Sequence, residues 1–246
     1  MINVLTLSDS DVLLQIPNDF IGTKIKASLI AYGTDFPFCS FWAQTKNNKP
    51  TAFILKFEQT VFLSTLSNAD YDELCEFLNV IGFRHLQTEA GARVGINTLP
   101  SKEYNIMRFR QNNNQINCKE DITAKFDPDL KNVYNILFFA KNRDLSYYDF
   151  NAWYADVSHR IRHGTAAAAI YNNHSAIIAS HIASDSAVIS GISTMPQFKN
   201  SGMGSIVLKQ MCLYLNKRNI FAACSNGIMP FYVKNGFEKI NDLFIY

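Results

Sequence analysis

The 246-residue chain carries little charge and almost none of it in excess: charged residues are 18% of the total and the formal net charge is +2. That leaves no electrostatic footprint for nucleic acid, and no lysine- or arginine-rich tract offers an arm to a membrane surface or another polyanion. Long apolar runs are also missing, so nothing approaches membrane-spanning length. Met1-Ile-Asn-Val-Leu-Thr-Leu-Ser-Asp9 lacks the basic start and small-residue cleavage site of an export signal, which makes a cytoplasmic location the expectation. Cysteine is sparse and scattered. Cys39, Cys75, Cys118, Cys212 and Cys224 include no Cys-x-x-Cys pair, which argues against a structural zinc site and against a secreted disulfide framework. Cys224, behind Ala222-Ala223 in an expected buried strand, reads as packing rather than as a nucleophile. His159 and His163 have the i, i+4 spacing of a metal pair, but no third ligand or glutamate accompanies them, so no metal is expected. What remains, with 48% hydrophobic residues, is the composition of a soluble globular protein of one large domain or two small ones.

The most informative stretch is Ser186-Ala-Val-Ile-Ser-Gly-Ile-Ser-Thr-Met-Pro-Gln-Phe-Lys-Asn-Ser-Gly-Met-Gly-Ser205. Ala187 to Ile192 has the β-branched content of a buried strand, and Pro196 stops it by removing a backbone donor. Gly202 and Gly204 let backbone amides crowd around a ligand that a side chain would exclude. From Ser205, the positions Ile206, Leu208, Met211, Cys212 and Leu215 follow helical spacing. A glycine turn that opens a helix collects unpaired amides and the positive end of the helix dipole, a natural seat for phosphate oxygens. Two phosphate motifs are excluded. The lysine of a P-loop is missing after Gly204, and Val207 stands where a dinucleotide fingerprint needs its third glycine.

Lys199-Asn-Ser-Gly-Met-Gly204 resembles the acyl-CoA loop of the GNAT acetyltransferases, Gln/Arg-x-x-Gly-x-Gly/Ala, with lysine in the first position. Downstream, Asn226-Gly-Ile-Met-Pro-Phe-Tyr-Val-Lys-Asn-Gly-Phe237 is similar to that family's helix-to-strand segment, in which Asn precedes an aromatic-Tyr pair and then Gly-Phe. The resemblance covers about the last half of the chain. It implies an α/β (α+β) fold with a mixed, mainly antiparallel sheet flanked by helices, and transfer of an acetyl group from acetyl-CoA to a primary amine on a small molecule or peptide. Carried over residue by residue, it implies that Ile192, Ser193 and Thr194 lie along the pantetheine. Lys199, Asn200, Ser201, Gly202, Met203, Gly204 and Ser205 would hold the pyrophosphate. Asn226, one residue closer to the tyrosine than the commonest family spacing, would sit by the cofactor arm, and Tyr232 would be the general acid. The base stays open between His163, His181 and water, because imidazole titrates near neutrality. The alternative function is a non-catalytic CoA-binding or scaffold protein of the same fold.

The order of expected elements occurs twice. The first half reads as helix in two pieces over Asp9 to Tyr32, with Pro17 and Gly22 between them, then strands over Phe38 to Thr45, Thr51 to Phe57 and Val61 to Leu66. A helix from Tyr71 to Gly82, capped from within Ser67 to Asp70, and a strand from Phe83 follow. The second half reads as a helix from Asp129, capped by Asp127 with Pro128 first, and a helix over Tyr148 to Ile161. Strands follow over Thr165 to Tyr171 and Ser175 to Ser184, then the glycine turn and a helix to Arg218. A strand over Ile220 to Cys224, a short helix over Ile228 to Lys234 and a last strand from Phe237 close the chain. Gly33-Thr34 falls against Gly164-Thr165, and the turn Asn47-Asn48-Lys49 against Asn172-Asn173-His174. An internal duplication accounts for this. The first copy has no glycine loop, and Asp70, Asp72 and Glu73 at its helix start would oppose a pyrophosphate. The expectation is therefore two tandem GNAT-like domains: a degenerate one over 1–117 that lacks the cofactor loop, and a catalytic one over 118–246. The boundary falls at the polar tract Gln111 to Asn117.

Overall fold

The structure is a computed structural model that describes residues 1–6, 9–90, 92, 100–110, 123–139 and 149–246; the tract at Gln111 to Asn117, Cys118 and nearly all of the glycine-containing loop at Gly91 to Gly95 lie outside these. The first half runs β1 (Ile2–Val4), α1 (Ser10–Leu13), α2 (Phe20–Tyr32), β2 (Cys39–Lys46), β3 (Lys49–Phe57), β4 (Thr60–Thr65), α3 (Tyr71–Ile81), β5 (His85–Glu89) and β6 (Lys102–Phe109). The second runs β7 (Lys125–Phe126), α4 (Leu130–Phe139), α5 (Phe150–Arg162), β8 (Ala167–Tyr171), β9 (Ser175–Ile182), β10 (Ser186–Thr194), a 3-10 turn (Pro196–Phe198), α6 (Met203–Leu215), β11 (Asn219–Cys224), α7 (Met229–Lys234) and β12 (Phe237–Ile245).

The twelve strands among the described residues form one sheet in the order β1-β2-β3-β4-β5-β12-β6-β11-β10-β9-β8-β7. Exchanging every strand with the one six places later reproduces this order in reverse, so the duplication is a pseudo-twofold of the sheet. The axis passes between β12 and β6, which pair antiparallel. Each copy gives its last strand to the other: β6 pairs with β11, and β12 pairs with β5. Most ladders are antiparallel, and the parallel pairs are β4 with β5 and β10 with β11. The hairpin turns hold Asn47-Asn48 at φ 52° and 60° and Asn172-Asn173 at φ 50° and 56°, a left-handed geometry that asparagine tolerates.

α2 is buried almost all round, and it touches β3, β4 and β5 of its own half and β9 and β10 of the other. Its interior hydroxyls are satisfied across the copies. Thr23 Oγ1 donates to Ser186 Oγ at 2.7 Å, and the Arg160 guanidinium donates to Ser28 Oγ at 3.3 Å. Gly22 lies within the first turn of α2 rather than between two helices, and glycine is required there because a Cβ would stand 2.2 Å from the Pro17 carbonyl oxygen. Asp19 caps the helix by accepting from Gly22 N at 2.6 Å.

Three further expectations are corrected. Asp127, at φ 67°, ends β7, and it is Asp129 whose carboxylate accepts from Lys131 N at 2.9 Å at the start of α4. α6 stops at Leu215, where Asn216 adopts a left-handed cap and donates to Cys212 O. β1, β6 and β7 were not anticipated. Among the described residues, no helix is long and apolar enough to cross a membrane.

Candidate active site

After Thr194, β10 runs into Met195-Pro196 and the 3-10 turn, and Gly202 at φ 85° bends the chain into α6. Ser205 N and Ile206 N donate to the Gly202 carbonyl at 3.0 and 3.1 Å, closing the first turn. The amides of Gly202, Met203 and Gly204 are thus left at the open end, where the helix dipole is positive and no side chain caps it. Gly204 packs closely: a Cβ would sit 3.3 Å from Thr194 Oγ1 and 3.7 Å from the Phe231 ring. Thr194 Oγ1 is itself held by Ser175 Oγ at 2.9 Å, and Ser175 Oγ also donates to Ser193 O at 3.1 Å. Lys199, Asn200 and Ser201 form the exposed rim, while Met203, Gly204 and Ser205 are half-buried. Phe198, on the near side of the rim, stacks on His174 with ring centroids 3.7 Å apart.

The second feature is a gap in the sheet. β10 and β11 pair in parallel only from Ser186–Asn219 to Ile189–Ala222. Beyond that, Ala223 and Cys224 pair with Ile106 and Asn105 of β6, while β10 stays on β9 as far as Thr194. Register shifts leave Ser180 of β9 and Ser190 of β10 without cross-strand partners, so both strands bulge where the gap opens. Met195 N donates to His174 O on the β9 side. By the two-residue period of a strand, Ser193 faces β9 as well, and the backbones of Ile192 and Thr194 face the gap. Ser190 is exposed and residues 191–194 are half-buried, as an uncovered strand edge requires.

Asn226 and Tyr232 flank the end of β11. Asn226 is exposed, and its Oδ1 accepts from Asn105 Nδ2 at 2.7 Å; the same amide group reaches Cys224 O at 3.3 Å. Asn105 is only 4% exposed and comes from β6, so a strand of the first copy fixes this corner of the second. It was missed in the sequence, where its one signal is a polar residue beside the apolar pair Ile106-Met107. Tyr232 is 5% exposed, with its ring edge-on to Phe231 and Phe237 at 5.4 and 5.2 Å, and its hydroxyl has no hydrogen-bond partner among the described residues. Burial, with Cys224 and Cys212 nearby, pushes its pKa above the usual phenol value, which keeps the proton on oxygen. Burial likewise raises the thiols of Cys212 and Cys224 and keeps them protonated.

The opposite face of the sheet carries α2. His181 pairs with Val188, which belongs to the α2 core, so the imidazole lies on that side, next to the bulged Ser180. Ser180 Oγ stands 2.7 Å from its Nδ1. Burial, followed by the positive charges of Arg160 and Lys24, holds His181 well below the usual imidazole range and therefore neutral. His163 is not brought to the gap: it is exposed at the end of α5 and packs on His159, whose Nε2 meets Ala31 O at 2.7 Å. Among the described residues, no group of three His, Cys, Asp or Glu side chains could hold a metal ion.

The equivalent helix start in the first copy is closed by the protein's own groups. Asp70 Oδ1 accepts from Glu73 N at 3.1 Å. Gln44 accepts from Asp70 N at 2.9 Å and donates to Glu73 at 2.7 Å, and the Met1 ammonium pairs with Glu73 at 3.0 Å.

No protein-family model and no curated protein matches the sequence. Solved structures do match. A tandem GNAT protein from the clavulanic acid biosynthesis pathway aligns over 100% of this chain and 97% of its own, at 9% identity and a TM-score of 0.58. A GCN5-related N-acetyltransferase from Sphaerobacter thermophilus aligns over 100% and 94%, at 9% identity and a TM-score of 0.58. Saccharomyces cerevisiae N-myristoyltransferase, solved with myristoyl-CoA and inhibitors, aligns over 100% and 79%, at 9% identity and a TM-score of 0.52. At these identities the likeness is one of fold, and the chain has the tandem GNAT fold.

Proposed function

We propose that the protein is an acyl-CoA-dependent N-acyltransferase that moves an acetyl group from acetyl-CoA to a primary amine on a small molecule or peptide. The observation that carries this reading is the gap between β10 and β11, opening directly beside an uncapped glycine turn. A thiol-ended arm with a phosphate at its far end fits that pairing. The arm takes the place of a strand along Ile192, Ser193 and Thr194, and the phosphates sit on the loop 199–205 and meet the open amides of Gly202, Met203 and Gly204. Gly204 fits as well, since Thr194 and Phe231 leave no room for a side chain between strand, loop and α7.

In the reaction, the amine nitrogen bonds to the thioester carbonyl carbon and the carbon–sulfur bond breaks. The departing thiolate takes a proton from the Tyr232 hydroxyl, which burial keeps protonated. The amine gives up its proton on the α2 face, where His181 is neutral and has a lone pair to accept it. Tyr232 belongs to the core on the α6 side of the sheet and His181 to the α2 side, so donor and acceptor of protons lie on opposite faces. Asn226, steadied by Asn105, borders the arm. The first copy, residues 1–117, supplies α2 and β6 but no second cofactor loop, because its own helix start is closed.

Calorimetric titration with acetyl-CoA, desulfo-CoA and ATP tests the reading, together with Gly202→Asp and Gly202→Asn. A Cβ at Gly202 meets nothing within 4 Å, and Asp and Asn share the same tolerance of φ 85°, so the two variants differ in one charge aimed at the phosphate seat. The expected result is saturable binding of both CoA species but not ATP, with the Asp variant weaker than the Asn variant by about tenfold or more. Equal affinity of the two folded variants places the ligand elsewhere.

A further inference from the structure

We infer that Leu137 restricts the acyl donor to short chains: its side chain walls the inner end of the gap, so that acetyl-CoA fits and a fatty acyl-CoA does not. This rests on the acyltransferase reading and names the donor class for the same site.

The place of the thioester follows from the two ends of the gap. With the phosphates at Gly202 to Gly204, the arm runs back along Thr194, Ser193 and Ile192 toward the point where β10 and β11 come together, at the pair Ile189–Ala222. The strand from Ser190 to Thr194 spans roughly 15 Å at about 3.3 Å per residue. An extended pantetheine is of that length, so its sulfur lies level with Gly191 and the acyl group beyond it meets three walls. Ahead is the paired backbone of Ile189 and Ala222. On the α6 face are Cys224 and Tyr232, both buried in one core cluster. The other face is covered by α4, which packs on β8, β9 and β10. Its cluster holds Ala168, Ile170 and Ile178, which alternate along their strands with Ala167, Ala169 and Ile177 of the α6 cluster.

Leu137 is the α4 side chain at this wall, and it reaches the strand because residue 191 is glycine. A Cβ at Gly191 would stand 3.5 and 3.7 Å from the two Leu137 methyls and 3.1 Å from Ile178 Cγ2. The leucine therefore lies where a side chain of β10 would otherwise project, pressed on the backbone just past the bulge at Ser190. Leu137 is 5% exposed and Ile178 4%, so the wall is close-packed core, and extra methylenes pushed against it must displace or compress it. Of the three walls, one is sheet backbone and one holds the proposed proton donor. Leu137 is the wall that substitution can withdraw without touching either. The opening left beside the thioester is at the exposed Ser190, where the amine must enter, and an acyl chain that leaves by it obstructs the acceptor.

The test titrates the whole protein, with no amine present, with acetyl-, butyryl- and octanoyl-CoA by calorimetry, and takes desulfo-CoA as the reference for the arm alone. Acetyl-CoA is expected to bind within about threefold of desulfo-CoA, butyryl-CoA about threefold more weakly than acetyl-CoA, and octanoyl-CoA about tenfold or more weakly. Leu137→Ala should bring octanoyl-CoA to within about threefold of acetyl-CoA while the acetyl-CoA affinity itself moves by no more than about threefold. Leu137→Val removes a single carbon and serves if the alanine variant does not fold; it should bring butyryl-CoA level with acetyl-CoA. Octanoyl-CoA that binds the unaltered protein as tightly as acetyl-CoA does, or a folded variant that leaves the ratio of long to short chains unchanged, overturns the inference and leaves the acyltransferase reading standing. Failure of both acetyl-CoA and desulfo-CoA to bind overturns that reading, and the inference with it.

Discussion

In the proposed reaction Tyr232 serves packing and chemistry together. Its ring closes an aromatic cluster with Phe231 and Phe237, and the same burial that makes it a core residue raises its pKa and keeps the hydroxyl a donor. Tyr232→Phe keeps the ring contacts and removes only the oxygen, so the cluster stays intact and the proposed proton donor is gone. Once an acceptor is in hand, kcat should fall by about a hundredfold or more while acetyl-CoA affinity, read by calorimetry, stays within about twofold. An unchanged kcat removes Tyr232 from the mechanism and leaves it as core.

At the scale of elements, the strand exchange governs stability. β6 lies between β12 and β11, and β12 between β5 and β6, so neither copy owns a complete sheet. Fragments 1–117 and 118–246, made separately, would each lack the strand that covers β5 or β11, and would present an open edge. Each alone should give an unfolded or aggregated product by circular dichroism and size exclusion, and the two produced together should recover a folded complex. A stable, monomeric 118–246 fragment would show that the exchange is dispensable. What was legible in advance follows from how local its cause is. The Asn47-Asn48 and Asn172-Asn173 turns, the glycines that end helices at Gly33 and Gly164, and the Gly202 bend are set by backbone geometry within a few residues, and the duplication was visible through them. β6 was not, because Lys102 to Phe109 is made a strand by partners more than a hundred residues away. The surroundings of α2 were hidden for the same reason: Thr23 and Ser28 are buried polar residues whose partners Ser186 and Arg160 come from the second copy. Asp127 and Asp129 both suit a helix start, and the choice between them depended on β7, two residues long.

For the molecule as a whole, the sheet has two parallel pairs related by its pseudo-twofold, β4 with β5 and β10 with β11, and therefore two places where a cofactor arm could enter. The helices that follow β4 and β10 differ in electrostatics. α3 begins with Asp70, Asp72 and Glu73, and its terminus is filled by Asp70, Gln44 and the chain's own ammonium on Glu73. α6 begins with glycine, has no acid in its first turn and no side-chain cap. A phosphate at α3 would have to displace satisfied hydrogen bonds and then face carboxylates, whereas one at α6 meets amides with nothing to displace. Calorimetry of the intact chain with acetyl-CoA should therefore give a stoichiometry of one, and Gly202→Asp should weaken that single site without uncovering a second. Two sites in the unaltered protein, or a residual full-strength site in the variant, would mean that the first copy binds the cofactor despite its acids. The division of labour would then be lost, and α2 would lie between two cofactor sites rather than beside one.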